Sequence, residues 1–208
     1  DTPSDLFDIM HDDALSLLGD SVKNFKEERL NARKLVVDHV GEEITIEQRY
    51  EALCEKLGVK KSIAKELTNL ELKFEMIFCR KREVVYELYN YAKLKGKKVI
   101  ITSDIFFRKE FIQKLLNKNG YDHWDKLYLS SEVGLLKHTG NLFDYIKKDL
   151  NISAGNILHI GDNQNADIKM AVHHGIAAVY MPRTIDCLKE KSSLLTQIDT
   201  GDKKLNAI

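Results

Sequence analysis

The chain has 208 residues, a length that suits one domain or one core carrying a sizeable insertion. Its 32 basic and 32 acidic side chains cancel to a formal charge of zero, which excludes both a basic nucleic-acid groove and an acidic solvating tail. No stretch approaches the roughly 18–20 apolar residues of a membrane span, and the N-terminus carries no signal-peptide pattern. Cys54, Cys79 and Cys187 are odd in number and far apart. They build neither a disulfide framework nor a metal knuckle, so a reducing, cytoplasmic setting is the expectation.

In chain order, the first half reads as uninterrupted helix. Leu6, Phe7, Ile9, Met10, Ala14 and Leu17 recur at helical spacing. Residues 25–40 continue with Leu30, Ala32, Leu35, Val36 and Val40. Thr45 with Gln48 predicts a capping box that opens a helix ending at Gly58. A further helix is expected over 63–78. The next, from Arg82, is amphipathic through Val84, Val85, Leu88, Tyr91, Ala92 and Leu94, and stops at Gly96.

At Lys97 the texture changes to alternating strands and helices. Strands are predicted at 99–102, 127–129, 157–160 and 176–180, with helices at about 107–119, 142–150 and 165–174 between them. The pattern implies a parallel α/β sheet. The expected organisation is a helical region over 1–96, an α/β core over 97–190 and a polar tail over 191–208.

Three loops after strands carry polar groups suited to one chemistry. The first strand finishes in Thr102-Ser103-Asp104. The loop after the second runs Ser130-Ser131-Glu132-Val133-Gly134-Leu135-Leu136-Lys137. The third strand leads into Gly161-Asp162, with Asp167 five positions on. Ends of parallel strands share one edge, where ligands bind in open α/β folds. A hydroxyl, an ammonium and a pair of carboxylates suit a phosphoryl group with Mg²⁺, a hard cation held by few carboxylates plus phosphate. Each residue also has a plainer role: Ser103 and Asp162 as helix caps, Asp104 as cap or substrate contact, Lys137 as a solvated loop cation. His138 is expected to face solvent and His159 to pack within its strand.

From Val99 onward the chain resembles the haloacid-dehalogenase (HAD) superfamily of hydrolases. Ile100-Ile101-Thr102-Ser103 is similar to the second motif of that family, Lys137 to its third, and Gly161-Asp162 through Asp167 to the fourth, GDxxxxD. The resemblance implies a three-layer Rossmann-like core with a helical cap inserted before the second motif. It gives Ser103 a phosphate-binding role, Lys137 the steadying of the nucleophile and the phosphoryl charge, and Asp162 a place as Mg²⁺ ligand, with Asp167 a second ligand or a partner behind it. The implied reaction is hydrolysis of a small phosphomonoester through an aspartyl-phosphate.

Pro3-Ser4-Asp5-Leu6-Phe7, Ser103-Asp104-Ile105-Phe106 and Ser130-Ser131-Glu132-Val133-Gly134 resemble the variety often fused to bacterial glycosyltransferase or surface-polysaccharide proteins. The family's first motif, DxDx(T/V), which supplies the nucleophile, has no counterpart in these residues. It is expected upstream, on a strand at the centre of the sheet. Without that strand, backbone about 4.8 Å wide stays unpaired on each side. The alternative reading is a non-catalytic binding or regulatory module beside a glycosyltransferase.

Overall fold

The computed structural model describes residues 5–32, 35 and 43–191. The second half of the helix expected over 25–40, the start of the Pro3-Ser4-Asp5 motif and the tail beyond 191 lie outside these residues. The chain divides into two units, one formed by Leu6–Leu135 and the other by the residues from Leu136 onward, which takes in Asp5.

The first unit is dominated by helices. It contains the short α1 (Asp5–Ile9) from Leu6 onward, then α2 (His11–Leu18), α3 (Phe25–Ala32), α4 (Ile46–Leu57), α5 (Ser62–Phe78) and α6 (Glu83–Leu94). The expected capping box is present. The Thr45 side chain accepts from the Gln48 N–H at 3.3 Å, and the Gln48 side chain accepts from the Thr45 N–H at 2.8 Å. Gly58 closes α4 in the left-handed conformation, which a side chain would strain.

Met10, Ala14, Phe25, Ala32, Tyr50, Leu53 and Leu67 are buried in one cluster. Phe7 meets Phe25 edge to face at 6.1 Å. Each fully buried large apolar side chain of this kind contributes about 1.5–3 kcal/mol. Two expectations are corrected here. Leu30 and Leu35 are exposed, and α3 instead buries Arg29. The stripe Val84, Leu88, Tyr91 and Leu94 of α6 is exposed, because that helix packs through Tyr86 and Tyr89 onto Tyr121.

The same unit holds β1 (Ile100–Ser103), α7 (Lys109–Lys118), β2 (Lys126–Leu129) and the single turn α8 (Ser130–Val133). β1 and β2 are parallel, with Ile100 opposite Lys126 and Ser103 opposite Leu129. Both loops that follow these strands therefore leave from one edge.

The second unit contains α9 (Asn141–Leu150), β3 (Leu158–Gly161), α10 (Met170–His173), β4 (Ala177–Tyr180) and α11 (Thr184–Lys191). β3 and β4 are parallel, with Leu158 opposite Ala177 and Gly161 opposite Tyr180. Phe143, Ala171 and Ile176 form its small core, with Ile157, Met170 and Ala178 packed against them.

The expected parallel strands and alternating helices are thus present, and the fold is α/β with a Rossmann-like core. Among the described residues β1 pairs only with β2, and β3 only with β4. Each pair therefore leaves an edge with unpaired backbone groups. β3 is also open on one face: Leu158 is 60 % exposed and Ile160 is exposed, although both read as core positions in the sequence. No helix among the described residues is long and apolar enough to cross a membrane.

Candidate active site

The apolar strand Leu158–Ile160 breaks at Gly161, and the chain then turns tightly. Asn163 starts the turn by accepting the N–H groups of Asn165 and Ala166 on its side-chain oxygen, at 3.0 and 2.9 Å. Residues Gln164–Lys169 form a π-helical turn, a wider coil that recurs at functional sites. The Asn163 carbonyl accepts from Asp167 at 2.8 Å and from Ile168 at 3.3 Å. This widened turn swings the Asp167 side chain back over the end of β3. A Cβ at position 161 would lie inside the Asp167 carboxyl group, so only glycine fits there.

Asp167 is the centre of a buried cluster. Its Oδ1 accepts from Lys137 Nζ at 2.5 Å and lies 3.0 Å from His159 Nε2. Its Oδ2 accepts from the Asn163 N–H at 2.9 Å. Burial raises the pKa of this carboxyl. The His159 hydrogen bond, the Lys137 charge and the backbone donor outweigh burial and hold the group well below the usual carboxylate range. His159 is fixed in turn against Phe143, edge to face at 5.1 Å. Lys137 stands at the end of the loop that follows α8, where its carbonyl accepts from the Gly140 N–H at 2.9 Å. Lys137 is buried, while the neighbouring His138 is exposed, as expected.

Asp162 is exposed at the C-terminal end of β3, and its charge helps to raise the Arg183 pKa, after the larger contribution of the Asp186 hydrogen bonds. Its carboxylate chemistry suits Mg²⁺, which needs only one or two such groups beside water and phosphate. Both oxygens of Asp167, by contrast, are already engaged by N–H donors. Among the described residues no three His, Cys, Asp or Glu side chains gather as a metal cage.

The fold therefore brings Lys137 and Asp167 into contact and sets Asp162 beside the same strand end. Ser103 and Asp104 belong to the other unit, at the C-terminal end of β1, and both are half-buried. Next to them the Thr102 hydroxyl is buried without a hydrogen-bond partner among the described residues. Two participants escape a reading of the sequence. His159 looks like a core position, and Arg183 lies beyond the last strand. The one signal for His159 is its place two residues before the glycine, on the face opposite Leu158 and Ile160.

A family model for haloacid dehalogenase-like hydrolases matches residues 14–175. A search of curated proteins finds no match. Solved structures of similar fold include the HAD hydrolase YfnB from Bacillus subtilis, bound to magnesium, at 19% identity. It covers 84% of this chain and 82% of its own, with a TM-score of 0.58. A haloacid dehalogenase-like family hydrolase from Xanthomonas campestris is 12% identical over 87% of this chain and 76% of its own, with a TM-score of 0.61. A predicted phosphoglycolate phosphatase from Haemophilus somnus is 17% identical over 86% and 78%, with a TM-score of 0.58.

Proposed function

We propose that this chain, which belongs to the haloacid dehalogenase-like hydrolases, is a Mg²⁺-dependent phosphomonoesterase acting on a small phosphorylated substrate in the cytosol. The observation that carries this reading is the Lys137–Asp167–His159 cluster at the end of β3, with Asp162 exposed beside it. A lysine paired with a buried carboxylate is held in a fixed position. Such a cation offsets the negative charge that builds on a phosphoryl group in transfer. Ser103 donates its hydroxyl to a phosphoryl oxygen in the same reading, and Asp104 lies next to it to meet the substrate.

Asp162 would hold Mg²⁺, with Asp167 behind it. The ion supplies Lewis-acid stabilisation of phosphoryl oxygens when bound. The nucleophile is assigned to the aspartate of the family's first motif, on a strand upstream of the helical region. Its carboxylate attacks phosphorus and expels the alcohol, and water then cleaves the acyl phosphate to return the carboxylate and release phosphate.

The test is hydrolysis of p-nitrophenyl phosphate by the intact protein, with saturating Mg²⁺ and with chelator. Turnover that requires the metal supports the reading. A folded protein without turnover in Mg²⁺ overturns it and leaves the non-catalytic binding module.

A further inference from the structure

We propose that Arg49 and Ser130 form a subsite for a substrate carboxylate, and that Glu43 occupies it in this structure. The inference rests on the phosphomonoesterase reading and names its substrate class, a phosphorylated carboxylic acid. Every part of the subsite belongs to the unit Leu6–Leu135.

The start of α4 is anchored on the loop that follows β1. The Ile46 N–H donates to the Phe106 carbonyl at 3.0 Å, and Arg108 pairs with Glu47 at 2.5 Å. One turn further on, the Arg49 guanidinium lies over the Phe106 ring, 3.9 Å from its centroid. Its Nη2 donates to Glu43 Oε1 at 2.9 Å, and both side chains are buried. Ser130 is the first residue after β2. Its hydroxyl oxygen accepts from the Ile105 N–H at 2.7 Å and lies 3.2 Å from both Glu43 Oε2 and the Ile105 carbonyl. A hydroxyl has one proton, so it serves one of these acceptors at a time and can follow whichever anion is present.

The Glu43 carboxylate is thus held at the C-terminal edge of the β1–β2 pair by Arg49 and Ser130, which themselves rest on Ile105 and Phe106, the two residues that follow Asp104. That edge is where ligands bind in open α/β sheets. The ring beneath the guanidinium fixes the plane of its fork, which matches a two-oxygen anion. A buried ion pair adds little stability in itself. Here it also brings a carboxylate from outside the helix to the strand edge, in the place a ligand would take. A substrate carboxylate enters as Glu43 leaves, so Glu43 competes with that carboxylate and does not affect a neutral phosphomonoester.

Calorimetry on the intact protein tests this with two probes, 2-phosphoglycolate and its uncharged-tail counterpart ethyl phosphate. In wild type 2-phosphoglycolate binds more tightly. Glu43→Gln weakens the resident anion and strengthens 2-phosphoglycolate binding about tenfold, the worth of one charge-assisted hydrogen bond, with ethyl phosphate unchanged. Arg49→Met brings the two probes level. If that variant does not fold by circular dichroism, the Glu43→Gln comparison alone decides. Equal binding of both probes by wild type and Glu43→Gln overturns the subsite and leaves the phosphoryl site standing. No binding of either probe to folded Glu43→Gln overturns both.

Discussion

Two buried ionic clusters in this chain use similar parts for different ends. In the helical region Arg29 forks onto Glu71 at 2.8 and 2.9 Å, Tyr50 donates to the same carboxylate at 2.5 Å, and the rings of Phe7, Tyr50 and Phe106 surround the guanidinium. Arg29 is 2 % exposed and Glu71 is 0 % exposed. That cluster is closed within a helical core and has nothing to offer a ligand. The Lys137–Asp167–His159 cluster sits instead at a strand end, beside an exposed carboxylate and a turn of exposed amides. The difference lies in address. The first orients helices within a core, and the second holds a cation at the edge where ligands meet a parallel sheet.

Breaking the first cluster has the largest expected effect on stability. Glu71→Ala leaves the Arg29 charge buried without its counterion and costs about 3–5 kcal/mol, a large share of a typical domain's stability. Urea denaturation measures it. Lys137→Met in the second cluster leaves Asp167 its His159 and Asn163 donors, so the same measurement shows a smaller loss. A Lys137→Met loss as large as that of Glu71→Ala contradicts the distinction.

Next in size is a pH effect confined to the helical region. Burial, then the charge of Glu71, pushes the Glu75 carboxyl up to about 7, against the opposing pull of Arg29. The folded state therefore binds a proton more readily than the unfolded chain between the ordinary carboxylate range and about pH 7. Stability falls as pH rises through that window, by up to roughly 3 kcal/mol. Glu75→Gln abolishes the slope in urea melts run from pH 5 to 7.5, and a slope that survives the change refutes the assignment. Asp167 works in the opposite sense, since its depressed pKa adds stability that is lost progressively as pH falls through and below the ordinary carboxylate range.

Two smaller changes sharpen the local accounts. Gly161→Ala forces a methyl into the Asp167 carboxyl group and costs about 1–3 kcal/mol, the range for overpacking. Thr45→Ala removes the cap of α4 and costs about 1 kcal/mol. Thermal melts report both, and a neutral Gly161→Ala would mean that the Asp167 contact yields easily.

Local signals in the sequence carried far. The Thr45–Gln48 box, the Gly58 stop, the four strands and the approach of Lys137 to Asp167 all follow from turn chemistry, periodicity and motif spacing. Burial of charge did not. The Arg29–Glu71 partnership spans 42 residues, a separation that no helical period reports. Leu158 and Ile160 read as core and His159 as an ordinary packed residue. The face of β3 that packs is set by where Phe143 and Asp167 arrive, and neither is local to the strand. The exposed stripe of α6 has the same cause: periodicity gives a helix its faces without saying which one finds a neighbour.

The most direct test of the central claim is Asp162→Asn, assayed for Mg²⁺-dependent hydrolysis of p-nitrophenyl phosphate alongside a urea melt of the same sample. Because Asp162 is exposed, stability should stay within about 0.5 kcal/mol of wild type. The rate should fall by at least about a hundredfold, the scale of losing one electrostatic stabiliser. Turnover at the wild-type rate with unchanged Mg²⁺ dependence would contradict the account.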